Sequence, residues 1–291
     1  MEEITLQEIE QHNISQLPED VDIVYPENKL DPEADAAQNE RLDLSYAGLE
    51  IDIADISNLK GEAFTLARRN GFGTSDSSVL LGVNPYKTVA ELIKEKASPE
   101  ISDKEKAIAQ QVAVRKGNDL EPLIIEKFKQ QFQAWICKPI DMYQAVQYPY
   151  LKFNFDGVSG KPNAYYPVEI KVVTTRGEKH YNPEKAMYIE GLGFLPLQTN
   201  VTDRNISIES KATHYGIPPY YYTQLQQEIL GCGSQHGYLC VLFERTWTMY
   251  VFHIDRDEKV INAIKTEGYK AWEKVVALRK EKGYGERLGR I

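Results

Sequence analysis

The chain has 291 residues and a net charge of −9, and its length and 42% hydrophobic content suffice for one large buried core. Its three scattered cysteines are too few for a disulfide framework or a zinc site. No apolar run approaches the ~20 residues of a membrane span, and Glu2 and Glu3 stand where a secretory signal would carry basic residues, so we expect a cytoplasmic protein.

The amino-terminal residues differ in charge from the remainder. Residues 1–60 contain sixteen Asp and Glu against three basic residues, a net charge of −13, so the remaining residues carry +4. With Pro18, Pro26 and Pro32 and only short apolar groups, this acidic arm is predicted to be poorly ordered or peripheral, and the folded domain is predicted at 61–291. The arm is either a solvated tail or a segment that competes with a polyanion for the basic body.

Two helices are predicted near the start of the domain. The Ser75–Asp76 pair can cap a first helix that stops before Pro85, and Thr88 begins a second one. A helix amino terminus with a hydroxyl group, and with a guanidinium nearby at Arg68 or Arg69, is also an anion site. Capping and anion binding by Ser75 can coexist.

A longer helix is predicted after Asn118. Its apolar stripe consists of Leu120, Ile124, Phe128 and Phe132. Glu121 borders this stripe, and a carboxylate in that position needs a partner. The partner is either a Lys or Arg at the rim of the core or a metal ion.

Two alternating segments, at 151–156 and 166–172, predict a pair of strands. The polar face of the first ends in Asp156, and the polar face of the second carries Glu169 and Lys171. If the strands pair as a hairpin, these three side chains project from the same side. Two carboxylates held close together repel unless a divalent cation or a shared proton joins them.

The carboxyl-terminal part predicts a helix, two strands and a covering helix. Pro218 and Pro219 open the first helix, on which Gln224 is either solvated or part of a site. The later elements are predicted at 238–243, 248–254 and 257–280. The residues after Arg279 are basic.

Four motifs follow one another in order along this chain. The first, from Arg68, is Arg-x-x-Gly-ϕ-Gly-x-Ser-Asp followed by Leu-Gly-x-Asn-Pro-Tyr-Lys-Thr, and the second, from Gly117, is Gly-Asn-x-ϕ-Glu-Pro. The third is Asp156 with Glu169-x-Lys171, and the fourth, from Ile217, is Ile-Pro-x-x-Tyr-x-x-Gln-x-Gln. Together they resemble the YqaJ-like viral recombinase family, relatives of lambda exonuclease. Such a resemblance is a hypothesis about structure and chemistry.

The resemblance implies an α/β fold of the restriction-endonuclease-like type, with a mixed central β-sheet flanked by helices. It also implies a metal-dependent DNA exonuclease that digests linear duplex DNA from 5′ to 3′. The implied metal ligands are Glu121, Asp156, Glu169 and the Ile170 carbonyl. Oxygen ligands favour Mg²⁺, or Mn²⁺ in its place, over zinc. Lys171 would position the attacking water, and Gln224 would contact either that water or the Lys171 side chain.

The resemblance also implies residues and partners for DNA. Binding of DNA and its 5′-phosphate is expected from Arg68 or Arg69, Ser75, Tyr86 and Lys87. The implied partners are double-stranded DNA ends, a phage-type single-strand annealing recombinase and other copies of the chain in a ring of three. The spacing between Lys171 and Gln224 is long for the family and predicts an insertion at about 177–213. A structure-specific or nicking endonuclease, and a catalytically silent DNA-binding protein, remain alternatives.

Overall fold

The structure is a computed structural model that describes residues 39–59, 61–109, 112–197 and 206–285. Its strands are β1 (Asn39–Glu40), β2 (Leu49–Ile53), β3 (Ile136–Pro139), β4 (Met142–Ala145), β5 (Lys152–Phe153), β6 (Val158–Lys161), β7 (Ala164–Val173), β8 (Tyr188–Ile189), β9 (Gly193–Phe194), β10 (His236–Phe243) and β11 (Thr248–Asp255). Its helices are α1 (Glu62–Ala67), α2 (Ser77–Leu80), α3 (Val89–Ala97), α4 (Asp103–Ala109), α5 (Val112–Phe132), α6 (Thr175–Glu178), α7 (Ile208–Tyr215), α8 (Pro219–Cys232) and α9 (Glu258–Glu281).

A mixed sheet forms the centre of the molecule. Its strand order is β1-β3-β6-β7-β10-β11-β8-β9, and β2, β4 and β5 form a smaller antiparallel sheet beside it. Within the large sheet β7 is parallel to β10 and β1 is parallel to β3, whereas the other neighbours are antiparallel. Helix α5 packs on one face and α8 on the other. The predicted α/β fold with a mixed central sheet flanked by helices is therefore confirmed.

The alternation of side chains along β7 decides what each face of the sheet receives. Val168 and Ile170 are buried in the apolar cluster on the α5 side. Glu169 and Lys171 point to the opposite face, where Gln224 of α8 donates a hydrogen bond to Glu169. Because side chains alternate along the strand, Glu169 and Lys171 both face α8, the helix that carries the fourth motif.

The hairpin that contains β7 differs from the predicted one. The partner of β7 is β6, joined to it by a two-residue turn at Pro162–Asn163, whereas β5 pairs with β4 in the small sheet. The prediction of a strand pair between 151–156 and 166–172 is therefore wrong. Gly157, directly before β6, and Gly160 within it resemble a turn in sequence, but Gly157 here allows close packing, because a Cβ at this position would lie 2.9 Å from Ile136 Cδ1.

The folded body begins before the predicted boundary. β1 lies at the edge of the large sheet, β2 pairs with β4, and Leu42 and Leu44 are buried in the main core. Residues 39–59 therefore belong to the folded domain, and a peripheral position is wrong for this part of the predicted arm. Residues 1–38 lie outside the described part of the chain.

The other predicted elements are present with shifted bounds. α5 begins at Val112 rather than after Asn118, and it contains Pro122. Its stripe is buried at Ile124, Phe128 and Phe132, as predicted. α9 packs mainly on α2, α3 and α8 rather than directly on the sheet. None of the helices in the described ranges has both the length and the apolar character needed to cross a membrane.

The segment predicted as an insertion, residues 177–213, contributes to the sheet where the structure describes it. β8 pairs with β11, and β9 pairs with β8 to form the outermost strand on that side. α7 follows and packs on α8. Residues 198–205 of this segment lie outside the described residues.

Candidate active site

A cavity of about 330 Å³ is lined by β4, β5, β7, α8 and the turn before α2. Residues from three of the four sequence motifs meet in it. The predicted site residues in its wall are Arg68, Ser75, Asp156, Glu169, Lys171 and Gln224. The fold therefore brings together side chains that lie up to 156 positions apart in sequence.

Asp156, Glu169 and Lys171 form one charged group. Asp156 lies between β5 and β6, and its Oδ2 accepts a hydrogen bond from the Ile170 backbone N–H at 3.2 Å. Lys171 Nζ lies 3.5 Å from the same oxygen and forms an ion pair with Glu169. Nζ also donates to the Ile170 carbonyl at 3.0 Å. One ammonium group thus contacts both carboxylates and the carbonyl that were predicted as metal ligands.

Helix α8 adds an amide and a further carboxylate. Pro219 stands at its first turn, where a missing N–H costs no helical hydrogen bond. Gln224 Nε2 donates to Glu169 and, at 3.2 Å, to Glu228 Oε1 one helical turn later. Glu228 is 1% exposed. In this arrangement Gln224 therefore contacts Glu169 of β7 and not the Lys171 side chain.

The electrostatics of this group are those of crowded acids. Burial raises the pKa of Glu169 well above its ordinary value, and the charges of Asp156 and Glu228 raise it further. Burial also raises the pKa of Glu228, to about 7. Burial alone would lower the pKa of Lys171, but Glu169 and Asp156 raise it well above its usual range. The site therefore holds a firmly protonated lysine beside two glutamates, Glu169 and Glu228, that resist ionisation.

Glu121 approaches this group from α5 but has another partner. It forms an ion pair with Lys138 of β3. Burial raises the pKa of Glu121, and the Asp156 charge raises it further, so the two carboxylates affect each other. A basic partner at the rim of the core was one of the two alternatives that the sequence left open for Glu121, and it is the one seen here.

Lysine side chains occupy the positions beside the acids that were predicted to hold a metal ion. Within the described ranges, no group of three or more His, Cys, Asp or Glu side chains is arranged to hold a metal ion. Lys171 and Lys138 neutralise the acids instead. The donor chemistry nevertheless fits a hard divalent cation, because carboxylates with raised pKa values crowd one site and a cation would relieve their repulsion.

Arg68 and Ser75 form a second polar group in the cavity wall. Arg68 Nη2 donates to Ser75 Oγ at 3.4 Å. The predicted capping role of Ser75 is wrong, since Asp76 closes this turn by accepting from the Gly73 N–H at 2.9 Å. Lys96 neutralises Asp76 at 2.7 Å. The Ser75 hydroxyl is therefore exposed beside a guanidinium.

The other residues predicted to bind DNA lie outside the cavity wall. Arg69 is 2% exposed, and its guanidinium binds Glu105 at 2.7 Å and two backbone carbonyls, so its prediction as a phosphate ligand is wrong for this structure. Tyr86 is 78% exposed on the loop before α3. Lys87 on the same loop pairs with Glu95 at 2.6 Å.

Three residues of the site were not among the predicted site residues, although one of them, Tyr221, is the tyrosine of the fourth motif. Tyr221 lines the cavity with Lys171 Nζ 5.5 Å from its ring centroid, and Lys152 lines it while paired with Asp52 at 3.0 Å. Glu228 contacts Gln224 from the position i+4, a helical spacing that the sequence does reveal. Lys152 gives no such signal, because its partner comes from the arm predicted to be peripheral.

The cavity thus combines acids on a mixed sheet with a lysine among them and an arginine beside them. Residues 63–234, more than half of the chain, match the YqaJ-like viral recombinase domain. This range contains every residue named above in the cavity wall. The chain belongs to the family of YqaJ-like viral recombinase domains, and this membership supports a DNA nuclease of the phage recombination type.

Several solved structures are similar in fold. An alkaline exonuclease (LHK-Exo) from Laribacter hongkongensis has 16% identity, covers 75% of this chain and 93% of its own, and has a TM-score of 0.49. A phage-related exonuclease from Haemophilus somnus 129PT has 14% identity, covers 73% and 96%, and has a TM-score of 0.41. A SOX–DNA complex has 8% identity, covers 75% and 68%, and has a TM-score of 0.44. No curated protein matches the chain.

Proposed function

We propose that this protein is a metal-dependent DNA exonuclease that resects linear double-stranded DNA from 5′ to 3′ by phosphodiester hydrolysis. One observation carries the proposal: the Asp156–Glu169–Lys171 group and the Arg68–Ser75 pair line the same cavity. The first has the composition of a hydrolytic centre, and the second that of a phosphate site. Family membership supports the same reaction class.

Mg²⁺ is the proposed cofactor, with Mn²⁺ as a substitute, because carboxylate and carbonyl oxygens suit hard divalent cations. Asp156, Glu169 and the Ile170 carbonyl would hold it. Glu121 would join them from α5 after leaving Lys138. Such an ion, when bound, polarises the phosphate and lowers the pKa of the attacking water.

Lys171 acts as a hydrogen-bond donor rather than as a base. Its pKa is raised well above the usual range, since Glu169 and Asp156 outweigh the effect of burial, so it keeps its proton at neutral pH. It would orient the water together with Gln224 and steady the charge that develops on the phosphate. The Tyr221 ring, 5.5 Å from Nζ, supports the ammonium by a cation–π contact.

Arg68 and Ser75 would bind the terminal 5′-phosphate. Asp76 does not oppose this role, because Lys96 pairs with it at 2.7 Å. Charge-assisted hydrogen bonds to a terminal phosphate would fix the scissile bond beside the acidic group. A cavity that binds a strand end in this way excludes a continuous strand, and the gripped 5′ end sets the direction of digestion.

The proposed partners follow from family membership. They are double-stranded DNA ends as substrate and a phage-type single-strand annealing recombinase that receives the 3′ strand. A ring of three chains around that strand is the proposed assembly and would make digestion processive. The proposed place of action is the cytoplasm of a bacterium that carries the phage or prophage.

The test compares end-labelled linear duplexes carrying 5′-phosphate or 5′-hydroxyl with covalently closed circles, in Mg²⁺. Wild type is expected to degrade the linear duplex and to prefer the 5′-phosphate. Arg68→Ala and Ser75→Ala are expected to lose that preference, with Arg68→Ala reducing the rate on phosphorylated ends roughly 10- to 100-fold. Arg245→Ala is the matched control, since this exposed arginine pairs with Glu178 away from the cavity.

Three results contradict the proposal in different ways. Efficient cutting of closed circles would replace it with an endonuclease. Indifference of the wild type to the 5′-phosphate would remove the end-directed part. Binding of DNA without turnover in Mg²⁺ or Mn²⁺ would leave a silent DNA-binding protein.

A further inference from the structure

A row of tyrosine rings runs outward from the cavity. Tyr221, in the cavity wall, has its ring centroid 4.5 Å from that of Tyr220. The Tyr220 centroid lies 6.2 Å from that of Tyr86, with the two rings tilted by 65°. Tyr86 is 78% exposed, the largest value among the exposed large hydrophobic side chains of the described residues. The row therefore ends in a ring that the fold itself hardly buries.

The loop that carries Tyr86 is held in place. The Asn84 side chain accepts hydrogen bonds from the backbone N–H groups of Tyr86 at 2.8 Å and Lys87 at 3.1 Å. It also donates to Ser78 Oγ of α2 at 2.9 Å. Pro85 restricts the backbone between them. An exposed aromatic ring on a fixed loop loses little conformational entropy when it binds a ligand.

The same loop adjoins the turn with the proposed phosphate site. Ser78 Oγ, which accepts the hydrogen bond from Asn84, itself donates to the Ser75 backbone carbonyl at 3.1 Å. One side chain thus links the loop of Tyr86 to the backbone of Ser75. The tyrosine row and the Arg68–Ser75 pair therefore border the same mouth of the cavity.

We infer that Tyr86, supported by Tyr220, is a stacking platform for a nucleobase of the DNA strand that leaves the duplex at the cavity mouth. This inference rests on the proposed function, since that function places a strand end beside the ring. Stacking on an aromatic side chain tolerates any sequence, because every base has a π face. Stacking on Tyr86 would keep the base of the leaving strand separated from its complementary base, while Arg68 binds the phosphate.

A thermodynamic cycle between protein and substrate tests the platform. Equilibrium binding is measured in Ca²⁺ with a 5′-phosphorylated duplex whose last three base pairs are replaced by mismatches. A matched duplex carries abasic tetrahydrofuran residues at those positions of the 5′ strand. Tyr86→Ala is expected to weaken binding of the base-bearing end about 5- to 150-fold and to leave the abasic end unchanged. Tyr86→Phe is expected to match wild type on both.

The control variant is Tyr269→Ala. Tyr269 is also an exposed tyrosine, 52% accessible, whose ring makes an edge contact with another tyrosine, Tyr150, at 6.1 Å. It lies on α9 and does not line the cavity. It is expected to leave both affinities unchanged. A 2-aminopurine base at the 5′ end adds a direct signal, since wild type is expected to quench its fluorescence by stacking and Tyr86→Ala is not.

The outcomes separate the two proposals. Equal affinities of wild type and Tyr86→Ala for the base-bearing end overturn the platform, even if turnover is normal. An equal loss on base-bearing and abasic ends also overturns it and indicates a contact with the backbone or with a protein partner. Failure of wild type to hydrolyse any duplex overturns the proposed function alone, because the binding cycle is read without turnover.

Discussion

Replacing Glu169 with glutamine is expected to abolish hydrolysis and to stabilise the metal-free protein. Glu169 is 1% exposed, and it shares the site with Asp156 and Glu228. A glutamine oxygen can still accept the hydrogen bonds that Lys171 and Gln224 donate. The substitution therefore removes a carboxyl group whose ionisation is unfavourable here and keeps the shape of the site, and Asp156 remains as the anionic partner of Lys171 at 3.5 Å.

The pKa of Glu228 sets the scale of the effect. It is raised from 4.5 to about 7, chiefly by burial. The folded protein thus holds this proton to higher pH than the unfolded chain does, so stability falls as the pH rises from about 4.5 to 7. At about 1.4 kcal/mol per pKa unit, the loss is about 3 kcal/mol. The pKa of Glu169 is raised in the same direction, so Glu169→Gln is expected to be more stable than wild type at pH 8 and to differ little from it at pH 5.

Urea unfolding in EDTA at pH 5 and pH 8 measures this gain, and hydrolysis of end-labelled duplex in Mg²⁺ measures the loss of activity. Glu190→Gln is the matched control, because Glu190 pairs with Lys127 outside the cavity. It should not become more stable at pH 8. A Glu169→Gln protein that is less stable than wild type at pH 8, or that hydrolyses DNA at a near-wild-type rate, would contradict this expectation.

Three further predictions concern other charges. Lys171→Ala is expected to reduce hydrolysis about 10²-fold or more while DNA binding in Ca²⁺ persists, as a filter-binding assay would show. Burial lowers the pKa values of His236 and His253, stacked 5.0 Å apart near Asp255, to about 4. Between pH 6.5 and 4 the unfolded chain therefore binds protons that the folded protein does not, so the free energy of unfolding falls as the pH falls, by up to about 3 kcal/mol per histidine. His236→Asn is expected to weaken this pH dependence, which urea unfolding at several pH values in that range would measure. Residues 1–38 contain eleven acidic residues and one basic residue, so deleting them changes the net charge from −9 to +1. The deletion is expected to tighten non-specific DNA binding, and an unchanged DNA affinity across a salt titration would contradict this expectation.

The sequence correctly predicted the elements in which a hydrophobic pattern repeats over many residues. The stripe of α5, the strands β10 and β11 and the helix α9 all lie within a few residues of their predicted bounds, apart from the start of α5. Glu169 and Lys171 reach the same face of β7 because the strand period requires it. Asp156 joins them although its predicted strand pairing is wrong, since the Ile170 N–H binds its carboxylate at 3.2 Å.

The sequence-based predictions were wrong where a contact with a distant segment decides the local structure. β6 contains residues typical of turns, and the need for Gly157 depends on Ile136, 21 positions earlier. Leu42 and Leu44 belong to an acidic stretch, yet they are buried against the rest of the core. Composition alone describes the average of a segment and does not reveal which few apolar side chains have partners.

Arg68 and Arg69 show how far neighbouring residues can differ in role. Arg69 is buried, and Glu105 with two backbone carbonyls already satisfies its guanidinium. Arg68 is directed to the cavity, where it contacts the neutral Ser75 hydroxyl and the Phe64 ring, 5.6 Å away. Its charge also lowers the pKa of Asp76, whose ion-pair partner is Lys96. A guanidinium with neutral partners retains its attraction for a phosphate, whereas one that binds a carboxylate does not. The proposed recognition of DNA ends therefore depends on how a single turn of 3₁₀ helix at Arg68–Asn70 orients two adjacent arginines, which the sequence alone does not specify.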